Sequence, residues 1–321
     1  MTPTDGHDRT DPVSSPAVPY ATPRALIDAI TTRIRNAVTA GSPYTASQLR
    51  RQLAYDRLLA RVFLAAPERW VLKGAGNLLA RIPRARYSLD LDLLYEGELD
   101  AAVEGLRLAA AQDLRDHFRF EIGPARETLV GARGLALPVT SRIGPRLFEP
   151  FSVDLVVELT MTAPPEDVGP LQPIELDGLT TVPYRGYPIA DQIADKHCAI
   201  IERHGSHGEL PSTRYRDLVD LVLIATTQPV DATLLRAALH SEYERRGLDP
   251  PHRSRCPRPA TGKPAIDEPP ATRRGSRSPR SMRPSRSSPR SSTPSSPTGH
   301  QVPGTPRARP GRILGTDRAG V

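Results

Sequence analysis

Residues 87–95 read Tyr87-Ser88-Leu89-Asp90-Leu91-Asp92-Leu93-Leu94-Tyr95. Their strict alternation of polar and apolar positions across the centre predicts a half-buried strand. Asp90 and Asp92 lie two apart, so both carboxylates point to one face, while Leu89, Leu91 and Leu93 cover the other. Two convergent carboxylates repel each other and weaken a fold, yet they are a natural donor set for Mg²⁺, which takes carboxylate oxygens together with substrate phosphates. The same pair also suits a merely solvated sheet face, so its neighbours in the chain decide between the two.

Upstream, a short strand over 70–73 runs into Gly74-Ala75-Gly76 and then a helix through Leu78, Leu79 and Ile82. Backbone N–H groups at such a helix start form an anion site suited to a triphosphate. The GxxxxGK[ST] spacing is absent, so this is not a Walker A loop. Downstream, Asp154 sits within Phe151-Ser152-Val153-Asp154-Leu155-Val156-Val157. A charge in the middle of a Val/Leu strand needs a partner, either a shared metal or an arginine. Ile189, Ile193 and Ile200 then mark an apolar helical stripe whose i+7 position is Lys196. A lysine there must meet an anion or snorkel outward. A nucleotide phosphate would satisfy it, and so would Asp217 in an ion pair bracing two helices. Asp217 and Asp220 are the only acids of the next helix and share one side of it.

Around these segments the periodicity predicts helices over 25–40 and over 45–65, the latter with Thr45 as N-cap, and a further helix over 99–118. Strands are expected near 118–122, 135–140 and 151–158, and helices from 189, from 215 and over 231–246. Strands in the middle and helices at both ends make this an α+β chain. The expected organisation is a leader (1–23), N-terminal helices (24–67), a core (68–185), a helical C-terminal lobe (186–250) and a tail (251–321).

Composition separates the tail from the rest. The 321 residues include 35 Pro and 23 Gly, too many for one uniformly packed globule. Residues 251–321 hold 14 Arg and one Lys against three acids, so the net charge of +7 belongs to the tail and the first 250 residues are acidic. With 14 Pro, 11 Ser and no aromatic residue, the tail cannot bury a core and is expected to be disordered. It reads either as an RNA-binding arm or as out-of-frame translation of a GC-rich gene, and the abrupt switch at Leu248-Asp249-Pro250-Pro251 favours the second. Only three lysines stand against 40 arginines. Lys263 falls in the tail, but Lys73 and Lys196 both fall in the segments above, where a compact ammonium differs from a planar guanidinium. Cys198 and Cys256 form no CxxC pair, which excludes a disulfide framework and a cysteine zinc site. A polar, Pro-rich start and the lack of any 18-residue apolar run lead to the expectation of a cytoplasmic protein without a membrane partner.

Four segments together, Leu72-Lys73-Gly74-Ala75-Gly76-Asn77-Leu78-Leu79-Ala80-Arg81, Arg86-Tyr87-Ser88-Leu89-Asp90-Leu91-Asp92, Ile193-Ala194-Asp195-Lys196-His197-Cys198-Ala199-Ile200 and Arg214-Tyr215-Arg216-Asp217-Leu218-Val219-Asp220-Leu221, resemble the AbiEii-type nucleotidyltransferase toxins, which include the MenT-type tRNA-modifying toxins. Order and spacing agree over residues 68–250, and family character is expected to end near Pro251. The resemblance implies a polymerase-β-like core and the toxin half of a bacterial toxin–antitoxin or phage-defence pair. It places Ser88 and Asp90 at the nucleotide and metal, Asp92 as the second carboxylate, Lys196 on the triphosphate and Asp217 completing the site. Asp90, Asp92 and Asp154 would hold Mg²⁺ or Mn²⁺, and Lys73, Gly74, Gly76 and Asp220 join Ser88 among the nucleotide-binding residues. The implied reaction is attack of an RNA 3′-hydroxyl, on a tRNA end, at the α-phosphate of an NTP, in a protein restrained by a cognate antitoxin. One departure is Ala75, where the family often has a second glycine. The alternatives are a metal-dependent nuclease using the same acids, an RNA-binding protein acting through its tail, and an inactive truncated homologue.

Overall fold

The computed structural model describes residues 19–127, 134–203, 210 and 212–249. Most of the expected leader and the whole expected tail, with Cys256 and Lys263, lie outside the described residues. The chain begins with α1 (Pro23–Thr39) and α2 (Ala46–Ala65), followed by β1 (Trp70–Leu72), α3 (Gly74–Arg81), β2 (Asp90–Tyr95) and α4 (Leu99–Ala110). Next come β3 (Phe118–Ile122), β4 (Arg126–Glu127), β5 (Gly134–Ile143), β6 (Arg146–Val156), β7 (Glu166–Val168) and β8 (Tyr184–Gly186). Helices α5 (Ile189–Ile201), α6 (Tyr215–Thr227) and α7 (Ala232–Arg246) follow.

The strands form one mixed sheet in the order β3-β5-β6-β2-β1-β8-β7, with β4 pairing β5. Within it β2 runs parallel to β6 and β1 parallel to β8. Leu91 and Leu93 of β2 and Val153 and Leu155 of β6 are buried on one face with Leu26, Ile30, Leu53 and Leu59 of the N-terminal helices. That apolar contact commits the opposite face of β2 and β6, and every side chain on it, to the other side of the sheet. Thr45 closes a capping box with Gln48 at the start of α2, as a threonine in that position should. The architecture is α+β, as expected.

Three expectations are corrected. The helix from Leu99 stops at Ala110 rather than at 118. Arg115 and His117 take positive φ, and the resulting turns place Asp116 beneath Arg61 of α2, with Nη–Oδ distances of 2.6 and 3.0 Å. Strands β5 and β6 are longer than expected because they close a hairpin through Gly144 at φ +55°. The short strands β4, β7 and β8 were not anticipated, since two or three residues carry no periodicity.

Helix α6 is oriented against its composition. Its buried residues are Asp217, Asp220 and Ile224, whereas Tyr215, Leu218, Val219 and Val222 are exposed. Among the described residues no helix is long and apolar enough to cross a membrane.

Candidate active site

Parallel pairing sets Asp92 directly beside Asp154 and Asp90 beside Ser152. Because in-register residues of neighbouring strands share a face, all three carboxylates project from the side that the helical core leaves free. Among the described residues neither Asp90 nor Asp92 has a hydrogen-bond or ion-pair partner for its carboxylate, while Asp154 receives the Ser152 hydroxyl. Burial, and then the Asp154 carboxylate, push the Asp92 pKa up to about 6 against the pull of Lys73 and Lys196. Burial and Asp90 raise that of Asp154. Gly74 closes on this face from β1. Its φ of +58° belongs to the left-handed region, and a Cβ there would collide with the Asp92 carboxylate, so only glycine fits. The first N–H groups of α3, which have no side-chain cap, start at this point.

The opposite wall comes from α5 and α6. Asn77 donates to the side-chain carbonyl of Gln192 at 2.5 Å, and Gln192 donates to the Gly74 carbonyl at 2.8 Å, which ties α5 to the glycine turn. One turn further along α5, Lys196 Nζ lies 2.8 Å from Asp217 and 2.6 Å from Asp220. Arg86 grips Asp220 with two bonds of 2.8 Å, and Arg214 approaches Asp217 at 3.5 Å. Three cations thus share these two acids, across from three carboxylates that have no cationic partner. Between the walls lies a cavity of about 680 Å³, within the usual range for a small-molecule site.

Ser88, Asp90, Asp92, Asp154, Lys196, Asp217 and Gly74 of the expected site all line this cavity. Three others stand behind it. Gly76 is buried against Leu72 and Leu91, where it lets α3 lie close on the sheet. Asp220 is fully buried beneath Lys196 and Arg86. Lys73 joins its backbone N–H to the Asp92 carbonyl and lays its ammonium 4.6 Å from the centre of the Tyr187 ring, with burial lowering its pKa. Reading the sequence missed Ala75, Arg86, Asp195, Arg214, Tyr215 and Arg216, all of which border the cavity. Arg86, Arg214 and Arg216 lie inside the matching motifs, but in a chain with 40 arginines their type drew no notice. A second cavity, of about 690 Å³, lies near Arg115 and Phe120 and includes none of these residues.

Residues 57–290 match the family described as nucleotidyl transferase AbiEii toxin, type IV toxin–antitoxin system. The chain belongs to the AbiEii family. This AbiEii-family chain is therefore a nucleotidyltransferase, which removes the nuclease alternative, and its family is that of a toxin with a cognate antitoxin. The match runs some forty residues past Pro251, where family character had been expected to end. No curated protein matches the chain by sequence. Among solved structures it is similar to JHP933 from Helicobacter pylori (19% identity, 60% of this chain and 79% of that one, TM-score 0.37). It is similar also to the antibiotic-resistance factor ANT(2″)-Ia (15% identity, 61% and 95%, TM-score 0.34). At these TM-scores the likenesses add nothing to the assignment, which rests on the family match.

The donor set suits a hard divalent cation. Asp90, Asp92 and Asp154 offer carboxylate oxygens with no cationic partner, and burial followed by repulsion from a neighbouring carboxylate raises the pKa of Asp92 and of Asp154. Among the described residues no three acids are drawn together at ligating distance, so the expected three-carboxylate set is not assembled as a metal site.

Proposed function

We propose that the AbiEii-family chain transfers a nucleotide from an NTP to the 3′ end of an RNA, with tRNA as the acceptor. The observation that carries this reading is the cavity itself, with three carboxylates that lack a cationic partner on one wall and an excess of cation on the other, joined by a helix start at Gly74. The Gly74 and Ala75 N–H groups and the Ser88 hydroxyl donate to the β- and γ-phosphates. Lys196 and Arg86 supply positive charge to the pyrophosphate as it departs. Asp217 and Asp220 hold both cations in place, so no reorganisation is needed when charge develops. The RNA O3′ bonds to the α-phosphorus as the bond from that phosphorus to the bridging oxygen breaks, pyrophosphate leaves with the electron pair, and the hydroxyl proton passes to the Asp154 carboxylate. A bound Mg²⁺ or Mn²⁺ on Asp90 and Asp92 would neutralise phosphate charge and lower the pKa of the attacking hydroxyl. Elongation of an acceptor end would stop aminoacylation, which accounts for a toxin that an antitoxin must restrain.

Transfer of label from each α-³²P NTP to a total tRNA pool tests the reading. Asp90→Ala should lose at least about three orders of magnitude in rate while its circular dichroism stays that of the parent. Label transfer at the parental rate in Asp90→Ala would overturn the assignment of the carboxylate wall, and absence of label on any RNA by the folded parent would overturn the acceptor.

A further inference from the structure

Tyr215 opens α6 with its side chain 75% exposed, at the rim of the cavity. Among the described residues no hydrogen bond and no ring contact holds that side chain. It is the first of the exposed row that continues through Leu218, Val219 and Val222, and it alone of the four borders the cavity. The cause is visible one turn along. Asp217 and Asp220 are drawn inward by Lys196 and Arg86, and this fixes the rotation of α6 so that its aromatic residue faces outward. Leaving a tyrosine ring in water forgoes the burial such a ring normally seeks. Its two neighbours, Arg214 and Arg216, are exposed and line the same cavity, one of them anchored toward Asp217. Among the described residues Tyr215 is the only aromatic residue on the cavity wall.

From this placement we infer that Tyr215 is the nucleobase platform of the site. Its ring stacks on the base of a nucleotide whose phosphates Arg214 and Arg216 attract. A free aromatic face flanked by arginines is the chemistry by which proteins hold unpaired bases without reading their edges. The ring is a positioning element, since it touches the base and not the reacting phosphorus. The inference rests on the nucleotidyl-transfer reading and adds the feature that reading lacks, a surface for the base. Both the incoming NTP and the terminal nucleotide of the RNA present such a base, and the experiment separates them.

The full-length protein is titrated, in buffer with Ca²⁺, with the triphosphate of 2-aminopurine riboside and, separately, with a short single-stranded RNA ending in 2-aminopurine. Stacking on Tyr215 quenches the fluorescence. Tyr215→Ala should abolish the quench and weaken binding about ten- to a hundred-fold for the ligand whose base is stacked, and Tyr215→Phe should restore both. Competition by inorganic tripolyphosphate, which has no base, should be equal in parent and Tyr215→Ala. Loss confined to the triphosphate assigns the platform to the incoming nucleotide, and loss confined to the oligonucleotide assigns it to the acceptor. Unchanged quench and affinity for both ligands, or an equal weakening of tripolyphosphate, would overturn the inference. Label transfer distinguishes it from the reading on which it rests. Tyr215-dependent quenching in a protein that transfers no label would leave the platform standing and remove the transferase. Normal transfer by Tyr215→Ala with both KM values unchanged would do the reverse.

Discussion

Two of the charged clusters among the described residues, one on α2 and one at the cavity, differ in what surrounds them. In the first, Arg57 and Arg61 of α2 meet Asp56 and Asp116 with exposures of 0–3%. Arg61 bonds both oxygens of Asp116, Arg57 bonds Asp56, and Tyr184 donates its hydroxyl to Asp56 at 2.7 Å. Two cations meet two anions, and the cluster is sealed. In the second, Arg86, Lys196 and Arg214 meet Asp217 and Asp220, and both Arg86 and Arg214 keep one side in contact with solvent. Three cations meet two anions, and the surplus faces a cavity with three acids beyond it. Burial of charge is common to both clusters and so says nothing of function. An unbalanced cluster open to a cavity can exchange a water or phosphate for its missing partner, whereas a balanced and sealed one can only brace the fold.

The largest expected effect tests the sealed cluster. Arg61→Met leaves Asp116 buried without its two bonds and should cost about 3–5 kcal/mol of unfolding free energy, measured by urea denaturation, while transfer per folded molecule at low temperature stays at the parental value. A drop in specific activity would show that the two clusters are coupled. The converse substitution, Lys196→Met, should lower transfer about 10²–10³-fold, equivalent to roughly 2.7–4 kcal/mol of transition-state stabilisation. Its effect on stability should be smaller than that of Arg61→Met, because Arg86 still holds Asp220. If both substitutions cost stability alone, the contrast between the clusters fails.

A third measurement sharpens the difference through pH. Asp92 has a pKa raised from 3.8 to about 6, chiefly by burial and then by Asp154. The folded chain therefore holds this proton more tightly than the unfolded chain does. Stability should fall as pH rises from about 4 to 6, and the penalty should persist above 6 at a magnitude on the order of 1–3 kcal/mol. In EDTA, Asp92→Asn should thus be more stable than the parent at pH 7.5, equal to it near pH 4, and inactive in transfer. A stability difference that does not vary between pH 4 and 8 would contradict the strained-carboxylate account. The smallest effect concerns Gly76, where an added Cβ comes 3.1 Å from a Leu72 methyl. Gly76→Ala should cost about 1 kcal/mol with KM for NTP unchanged, as befits a packing glycine. A raised KM would return Gly76 to the nucleotide-binding residues.

Much of this was legible in the sequence, and the reason is periodicity. The i, i+2 spacing of Asp90 and Asp92 sets their common face whatever the strand's neighbours, because pleating alternates side chains. Lys196 in an apolar stripe had to meet an anion or snorkel outward, and the adjacent helix offered one at Asp217. Family membership was readable from four motifs in order. Gly74 and Gly76, by contrast, look alike in sequence, and only the positive φ and the approach of Asp92 give the first a place in the cavity and the second a place in the packing. Local periodicity likewise cannot rank the faces of α6. A helix with Leu218, Val219 and Val222 should turn them inward, but Lys196 and Arg86 arrive from α5 and from the segment before β2 and pull the acids in instead. The sequence by itself determined the longer elements and which residues each presents on a common face, since those depend on neighbours within a few positions. Which face of α6 is buried, which glycine touches the carboxylates and which of two charged clusters stays open depended on contacts between different elements, such as Gly74 with Asp92 and Arg86 with Asp220. Only the assembled fold decides those.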